Sequence, residues 1–537
     1  MMGANYWWCI LFLIVKVLDS EQKSTPDSSN YIAAVVEYSP AYTNGNAEST
    51  LKENTNAYVQ FINKAGVQNV DIIVFPEDGL TSVNLPAREH MDPWTTTIPI
   101  NHVPCDDNIN GVSDTLKSIS CAAKKNQIYV VINIAEKLIC EENDCPTDKV
   151  FYYNSNAVFD RTGKIISRYR KTHLFVESQF NVTAEPEVTT FDTDFDVRFG
   201  TFICFDILFD TPSLNITRSL GVTDIVYPTA WFSETPFLTA VQTQAGWSYA
   251  EDVNFMAAGY NRPKFGNAGS GIYLGRRGIG QAIFPTTDTS ELLIVNVPKI
   301  KKSIYENLRT RREARKFNGQ DKENYPVTQS NASKSRFWKR SMDEFLYLHD
   351  DLSTYTTDLL DTSRTHHEKS VCHDKFCCDF NVDIVAVDPN FKYRIVAFNG
   401  VRKYVVVEAA ISVCSLVQCR NDSIVSCGEV GSSDTAFKSI TITGTFENDK
   451  RVLVMPSTVG SDLLPLRDWT YEEHKHESHV HVTISLNVTT KNVVTFGLYS
   501  RNYKDDPKSN ADSQHTKLFL VFSGSLIFYC RYLKTIW

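Results

Sequence analysis

Three short segments carry side chains that could act together on a carbonyl group. Val74-Phe75-Pro76-Glu77-Asp78-Gly79 offers a carboxylate, Ile166-Ser167-Arg168-Tyr169-Arg170-Lys171 an ammonium, and Gly200-Thr201-Phe202-Ile203-Cys204-Phe205-Asp206 a thiol. Each reads as the end of a strand, and in α/β folds strand ends at one rim of the sheet converge on the crevice where ligands bind. A free thiol has a pKa of about 8.5 and needs a base to attack at neutral pH. Glu77 could take that proton as a general base. Lys171 could hold positive charge beside the developing oxyanion, with the backbone N–H of Phe205 as a second donor. Attack on an amide would give a thioester and release an amine, after which Glu77 would activate the hydrolytic water. Plainer readings exist for each residue. A cysteine in a strand is commonly a small buried hydrophobe, and a Lys or Glu at a strand end is commonly a solvated boundary residue.

Cysteine arithmetic sets Cys204 apart. The chain holds 13 cysteines. Cys9 and Cys530 lie in apolar terminal runs. Cys105, Cys121, Cys140 and Cys145 cluster early, and six more cluster between Cys372 and Cys427. Each cluster has an even count, so each can close internally, which predicts five disulfides with none between clusters and one free thiol at Cys204. Zinc is a poorer reading of the late cluster, because Cys377 and Cys378 are adjacent and no C-x2-C pair follows.

The elements that must position these residues read as two units. From Tyr31 to about Val297, short apolar runs alternate with helix-like stretches at 49–65 and 115–125, a layered α/β pattern. Residues 156–166 read as a hairpin turning through Arg161-Thr162-Gly163. Residues 299–342 are basic, then polar, and read as a solvated linker or surface helix. Beyond 343, cysteine-rich β-type runs such as Tyr404-Val405-Val406-Val407, 439–442 and 480–484 predict a smaller β-rich unit held by disulfides, reaching about 510. The catalytic unit is assigned to 25–298. The ends differ again. Residues 1–20 hold an apolar run with the character of a secretory signal. Residues 511–537 carry small residues, a spacer and a hydrophobic tail, as a lipid-anchor signal does; an ordinary final strand is the alternative. Sequons at Asn181, Asn215, Asn331, Asn421 and Asn487 fit an extracellular glycoprotein. A net charge of −9 argues against a protein that grips nucleic-acid phosphates. His474, His476, His479 and His481 alternate on a polar stretch and read as an exposed strand more readily than as a metal site.

The three segments, together with Val226-Tyr227-Pro228-Thr229-Ala230-Trp231 and Gly269-Ser270-Gly271-Ile272-Tyr273, resemble the nitrilase superfamily and within it the vanin and biotinidase branch. That resemblance implies an αββα sandwich, with the β-rich remainder similar to the branch's accessory domain. It implies Glu77 as general base, Lys171 as oxyanion stabiliser and Cys204 as nucleophile, with Glu177 as a supporting carboxylate. Trp231, Phe232 and the segment after them would help form the substrate pocket. His173, beside Lys171, is read as core or rim packing before an orienting role. The branch hydrolyses secondary amides of vitamin derivatives without metal or organic cofactor, so the expected partner is a small-molecule amide, with pantetheine ahead of biocytin. A surface binding protein with an idle site is the competing expectation. The implied location is extracellular, secreted or lipid-anchored, with membrane contact only through the anchor.

Overall fold

The computed structural model describes residues 23–141, 145–300, 345, 347–404 and 407–507. In chain order the first half contains β1 (Asn30–Glu37), α1 (Ala47–Val67), β2 (Ile72–Val74), α2 (Asp114–Asn126), β3 (Tyr129–Ile139), β4 (Val150–Phe159) and β5 (Ile165–Arg170). Then follow β6 (Thr189–Asp192), β7 (Arg198–Thr201), β8 (Asp224–Thr229), β9 (Glu234–Thr235), α3 (Ala240–Glu251), β10 (Asn254–Gly259), β11 (Ser270–Leu274), β12 (Ile279–Ile283) and β13 (Glu291–Pro298). One six-stranded sheet has the order β13-β1-β2-β3-β4-β5, the other β12-β11-β10-β8-β7-β6.

Side-chain alternation stacks these sheets. In β2, Ile72 and Val74 join Met256 and Val226 of the second sheet, while Ile73 points the other way, into a cluster with Tyr58, Ile62 and Leu116 of the helices. A strand buried on both faces must be apolar at every position, as Ile72-Ile73-Val74 is. Helix α1 buries Thr50, Asn54, Tyr58, Phe61, Ile62 and Ala65, a stripe at helical spacing. Its N-terminus is closed by Asn46, whose side chain accepts from the Ser49 N–H, and α2 is closed likewise by Ser113 and the Leu116 N–H. Strand β13 pairs along the whole of β1 and brings the α/β unit to its end at Pro298.

The β-rich unit has two five-stranded sheets. One runs Thr356–Leu359, Lys392–Lys403, Glu408–Cys419, Val493–Asn502, Val452–Gly460; the other runs His366–His373, Phe376–Ala386, Ala436–Glu447, His479–Leu486, Trp469–Lys475. They enclose a common core with Phe380, Ile442, Leu416 and Phe496, and Cys378–Cys414 links one sheet to the other through it. The remaining bridges are Cys105–Cys121, Cys140–Cys145, Cys372–Cys377 and Cys419–Cys427. All pair within their clusters, and Cys204 is free and buried.

The two units share a core. One apolar cluster contains Cys204, Trp247 and Phe255 from the first and Val413, Met455 and Tyr499 from the second. Leu348–His349 pairs in parallel with β9, Gln242 Nε2 donates to Ser457 Oγ at 2.9 Å, and the buried Arg501 Nε donates to the Leu208 carbonyl at 3.0 Å.

Two expectations need correction. The apolar run at 404–407 is not a strand: Tyr404 N–H donates to the Val407 carbonyl at 2.7 Å, in the connection between Lys392–Lys403 and Glu408–Cys419, with Val405 and Val406 outside the described residues. The strand expected over 199–205 ends at Thr201, and Cys204–Leu208 is a 3-10 turn. The signal (1–20), most of the linker (299–342) and the anchor segment (511–537) lie outside the described residues, as do Asn331, Cys9 and Cys530.

Gly246 of α3 tests the shared core. A Cβ there would sit 2.5 Å from the Pro456 carbonyl oxygen. Alanine in a helix interior normally gains about 1 kcal/mol over glycine. Here the overpacking cost of about 1–3 kcal/mol outweighs that gain, so Gly246→Ala is expected to be destabilised in urea denaturation, not stabilised.

Candidate active site

The C-terminal ends of four strands meet at Cys204. Strands β2, β5 and β7 deliver Glu77, Lys171 and Cys204, and β8 delivers Ala230 immediately after its last residue. They belong to two sheets: β2 and β5 to the first, β7 and β8 to the second. The expectation of a single rim is therefore corrected. The site lies where the ends of two stacked sheets face each other, and neither sheet alone contains it.

Glu77 is held from three directions. Its Oε1 accepts from Lys171 Nζ at 2.6 Å and Asn154 Nδ2 at 2.9 Å, and its Oε2 from the Ala230 N–H at 2.8 Å. Glu177 mirrors it, accepting Lys171 Nζ at 2.6 Å and the Phe175 N–H at 2.8 Å on Oε2, and Asn154 Nδ2 at 2.6 Å on Oε1. Lys171 is thus clamped between two carboxylates at 2% exposure, a figure that leaves no room for water to screen it. Burial disfavours its charge, but the charges of Glu177 and Glu77 outweigh that and hold its pKa well above the usual lysine value. Asn154 Oδ1 in turn accepts from Asn133 Nδ2 at 2.6 Å, while Asn133 Oδ1 accepts the Asp78 N–H at 3.0 Å. The glycine that follows is sterically required: a Cβ on Gly79 would lie 2.0 Å from the Tyr58 hydroxyl.

Cys204 has φ +45°, a left-handed backbone that non-glycine residues rarely adopt. The surrounding chain enforces it. Asp206 Oδ2 accepts the Ile203 N–H at 3.0 Å and the Tyr169 hydroxyl at 2.7 Å, and Tyr227 donates its hydroxyl to the Cys204 carbonyl at 2.7 Å. Burial and the negative charge of Glu77 push the thiol well above its ordinary pKa, with the Lys171 ammonium pulling the other way. The resting thiol is protonated, so attack needs a base at the moment of reaction.

Of the other expected residues, Trp231 is buried and donates its indole N–H to the Leu238 carbonyl at 2.8 Å, which makes it a packed wall. Phe232 is exposed; its ring centroid is 5.9 Å from Phe175, whose ring is 5.1 Å from Phe205, next to the thiol in sequence. His173 is a packing residue: its N–H donates to Asp206 Oδ1 at 2.9 Å, its Nδ1 lies 2.9 Å from the same oxygen, and its ring stacks on Phe209 at 3.6 Å. Sequence reasoning missed Asn133, Asn154, Asp206 and the Ala230 N–H. Asn133 and Asn154 did leave a signal, as carboxamides inside the apolar runs of β3 and β4. Among the sequons, Asn421 and Asn487 are exposed, whereas Asn181 and Asn215 are half-buried. Asn215 Nδ2 also donates to Thr211 Oγ1 at 3.2 Å. Among the described residues, the group with metal-ligating chemistry is His476, His479 and His481 of the β-rich unit.

Residues 32–246 match the carbon-nitrogen hydrolase family, and residues 345–506 match the vanin C-terminal domain. With the thiol, carboxylate and ammonium assembled as described, the protein is a cysteine-dependent hydrolase of C–N bonds. Vanin-like protein 1 of Drosophila melanogaster is 34% identical over 564 residues, covering 98% of this chain and 96% of that protein. The pantetheinase of Canis lupus familiaris is 31% identical over 81% of this chain and 83% of its own length. The pantetheinase of Homo sapiens is 30% identical over 90% and 91%. The chain belongs to the vanin branch of the nitrilase superfamily.

Removing the Lys171 ammonium leaves Glu77 and Glu177 buried and sharing one carboxamide. Lys171→Met is expected to cost about 3–5 kcal/mol at neutral pH. In that variant Glu177, whose pKa burial already raises, loses the ammonium that opposed the rise, so the folded protein binds more protons than the unfolded one and the deficit shrinks as pH falls. Urea denaturation at several pH values measures both, and a deficit that grows on acidification contradicts the clamp.

Proposed function

We propose that this protein hydrolyses pantetheine to pantothenate and cysteamine, with Cys204 as nucleophile, Glu77 as general base and acid, and Lys171 as oxyanion stabiliser. The observation that carries the assignment is Glu77: a buried carboxylate with both oxygens fixed, in electrostatic contact with a buried, protonated thiol. The thiol passes its proton to Glu77 as sulfur bonds to the amide carbon. Lys171 keeps its proton and, with the Phe205 N–H at the open start of the 3-10 turn, faces the oxyanion. The C–N bond then breaks, and Glu77 gives the proton to the departing amine. Water attacks the thioester, Glu77 takes its proton, and the acid leaves as the thiol is restored. Glu177 is a positioning residue, because it orders Lys171 and Asn154 from the side away from Glu77. In this reading the layers run αββα, and Trp231, Phe232 and Phe175 bound the acyl side of the pocket.

Pantetheine is favoured because relatives that this chain matches over most of its length are named pantetheinases. A panel of pantetheine, biocytin and simple aliphatic amides, assayed for released amine, tests it. A higher kcat/KM for biocytin would reassign the substrate, and no amine from any of them would remove the activity. Cys204→Ser and Glu77→Gln are each expected to lower turnover more than about a thousandfold, Cys204→Ser with a near-native melting transition. Near-normal activity in either rejects the mechanism.

We infer further that the enzyme works outside the cell, as a glycoprotein that is secreted or lipid-anchored. Five disulfides and the exposed sequon residues Asn421 and Asn487 support this reading. If the segment from 511 directs anchoring, a phosphatidylinositol-specific phospholipase releases the activity from cells. Intact mass ending at Trp537 identifies a freely secreted chain instead.

A further inference from the structure

Four histidines have no part in amide hydrolysis, yet the β-rich unit gathers them at one hairpin. His474 is next to last in the Trp469–Lys475 strand, His479 and His481 lie at the start of the His479–Leu486 strand, and His476 lies in the turn between. Val480, Val482 and Ile484 point into the core, so His479 and His481 share the opposite, outer face of the sheet. The register sets His474 directly across from His481. The turn is closed by the His476 N–H donating to the His479 carbonyl at 2.8 Å, and Asn448 Nδ2 donates to the His476 carbonyl at 2.7 Å. The backbone therefore holds the third ring over the other two.

Three side chains converge. One ligand nitrogen from each of His476, His479 and His481 lies within 4.8 Å of the others, and their ring centroids are 4.5, 4.9 and 5.2 Å apart. Two of the rings are steadied from behind. His481 Nδ1 is 2.9 Å from Thr445 Oγ1, and His479 Nδ1 is 3.3 Å from Ser478 Oγ. When Nδ1 donates its proton to such a hydroxyl, Nε2 keeps the lone pair that a metal needs, and the hydroxyl fixes the ring's orientation. Charged groups on this face beside the histidines include Glu447, opposite His479 and bonded to Lys504 at 2.8 Å, and Glu472, 3.7 Å from His474. Glu477 and Lys475 flank the turn.

We propose that His476, His479 and His481 form a binding site for a divalent transition ion of the zinc and copper class, with the remaining position open to water. The ligand chemistry selects this class: imidazole suits Zn²⁺ and Cu²⁺, whereas Ca²⁺ and Mg²⁺ take oxygen ligands. A zinc–nitrogen bond of about 2.0–2.1 Å in tetrahedral geometry places its nitrogens roughly 3.3 Å apart. Side-chain rotation at an accessible hairpin tip closes the present spacing without moving the sheet. The bound ion cross-links the turn to the strand and leaves the amide-hydrolysing site untouched.

The test is a Zn²⁺ titration of the full chain against a competing chelator at about pH 7.5, where imidazole is neutral. The wild type is expected to bind one equivalent that the His479→Ala/His481→Ala double variant lacks. His476→Ala, changed only in the turn, should weaken the same equivalent, and Thr445→Val should weaken it about 10-fold or more by freeing the His481 ring. Acidification to about pH 5 should release the ion. Amide hydrolysis in metal-free buffer should be equal in all variants, which also certifies their folding. Equal Zn²⁺ stoichiometry in wild type and double variant overturns the proposal. So does a Ca²⁺ titration showing the same difference between them.

Discussion

One buried ammonium organises this enzyme. Lys171 sits between Glu77 and Glu177 at 2.6 Å from each, screened from water. Two carboxylates brought that close would not both stay ionised without it. The cation settles the charge, and neutral donors settle the geometry: the Asn154 carboxamide reaches both carboxylates, and the Ala230 and Phe175 N–H groups take the remaining directions. Every one of those donors lies on or just after a strand or in a short loop whose path the sheets dictate. The Glu77 carboxylate is thereby fixed in place before any ligand arrives, and such preorganisation is where electrostatic catalysis draws most of its effect.

The thiol is placed by different means. Cys204 occupies a left-handed backbone conformation, and such strain persists only where the surroundings over-determine it. Asp206 ties the turn to Tyr169 and His173 of the first sheet's outgoing loop, while Tyr227 of β8 holds the cysteine carbonyl. Arg501 of the β-rich unit then grips the Leu208 carbonyl at the far end of the same turn. The accessory unit is part of the support of the nucleophile segment, and its core is continuous with the one that packs Cys204.

The disulfides follow the same division. Among the described residues none crosses between the units, and the two halves associate through packing, hydrogen bonds and ion pairs such as Arg402–Glu234 and Arg276–Glu473. Each bridge closes within its own cluster, and Cys204, buried in the shared core, has no cysteine partner among the described residues.

Much of this was legible in the chain itself. The apolar run of β2, the stripes of α1 and α2 and the hairpin after β4 are local patterns, and local patterns report burial periodicity directly. The isolation of Cys204 and the even counts of the two cysteine clusters are likewise properties of order along the chain. The residue types at 77, 171 and 204 are compatible with thiol chemistry on a carbonyl, and it was the resemblance of their flanking segments to a known family that set this reading above the plainer ones. Other features were not legible. The run from 199 to 205 reads as a strand because every position is buried, but a side chain three residues on, Asp206, caps Ile203 and turns the chain at Cys204. Asn133 and Asn154 acquire meaning only when β3 and β4 pair and set them beside Glu77. That the site straddles two sheets cannot be read from strand ends alone, since sequence shows where strands stop and not which sheet they join. The converging histidines are the same case: their spacing reads as one exposed strand, whereas they lie on two strands and the turn that joins them, and only that hairpin brings three rings within reach of one another. Sequence determined which groups were present and which segments were buried. Tertiary structure decided which groups met, because hydrogen-bond register and sheet stacking act between residues tens to hundreds of positions apart.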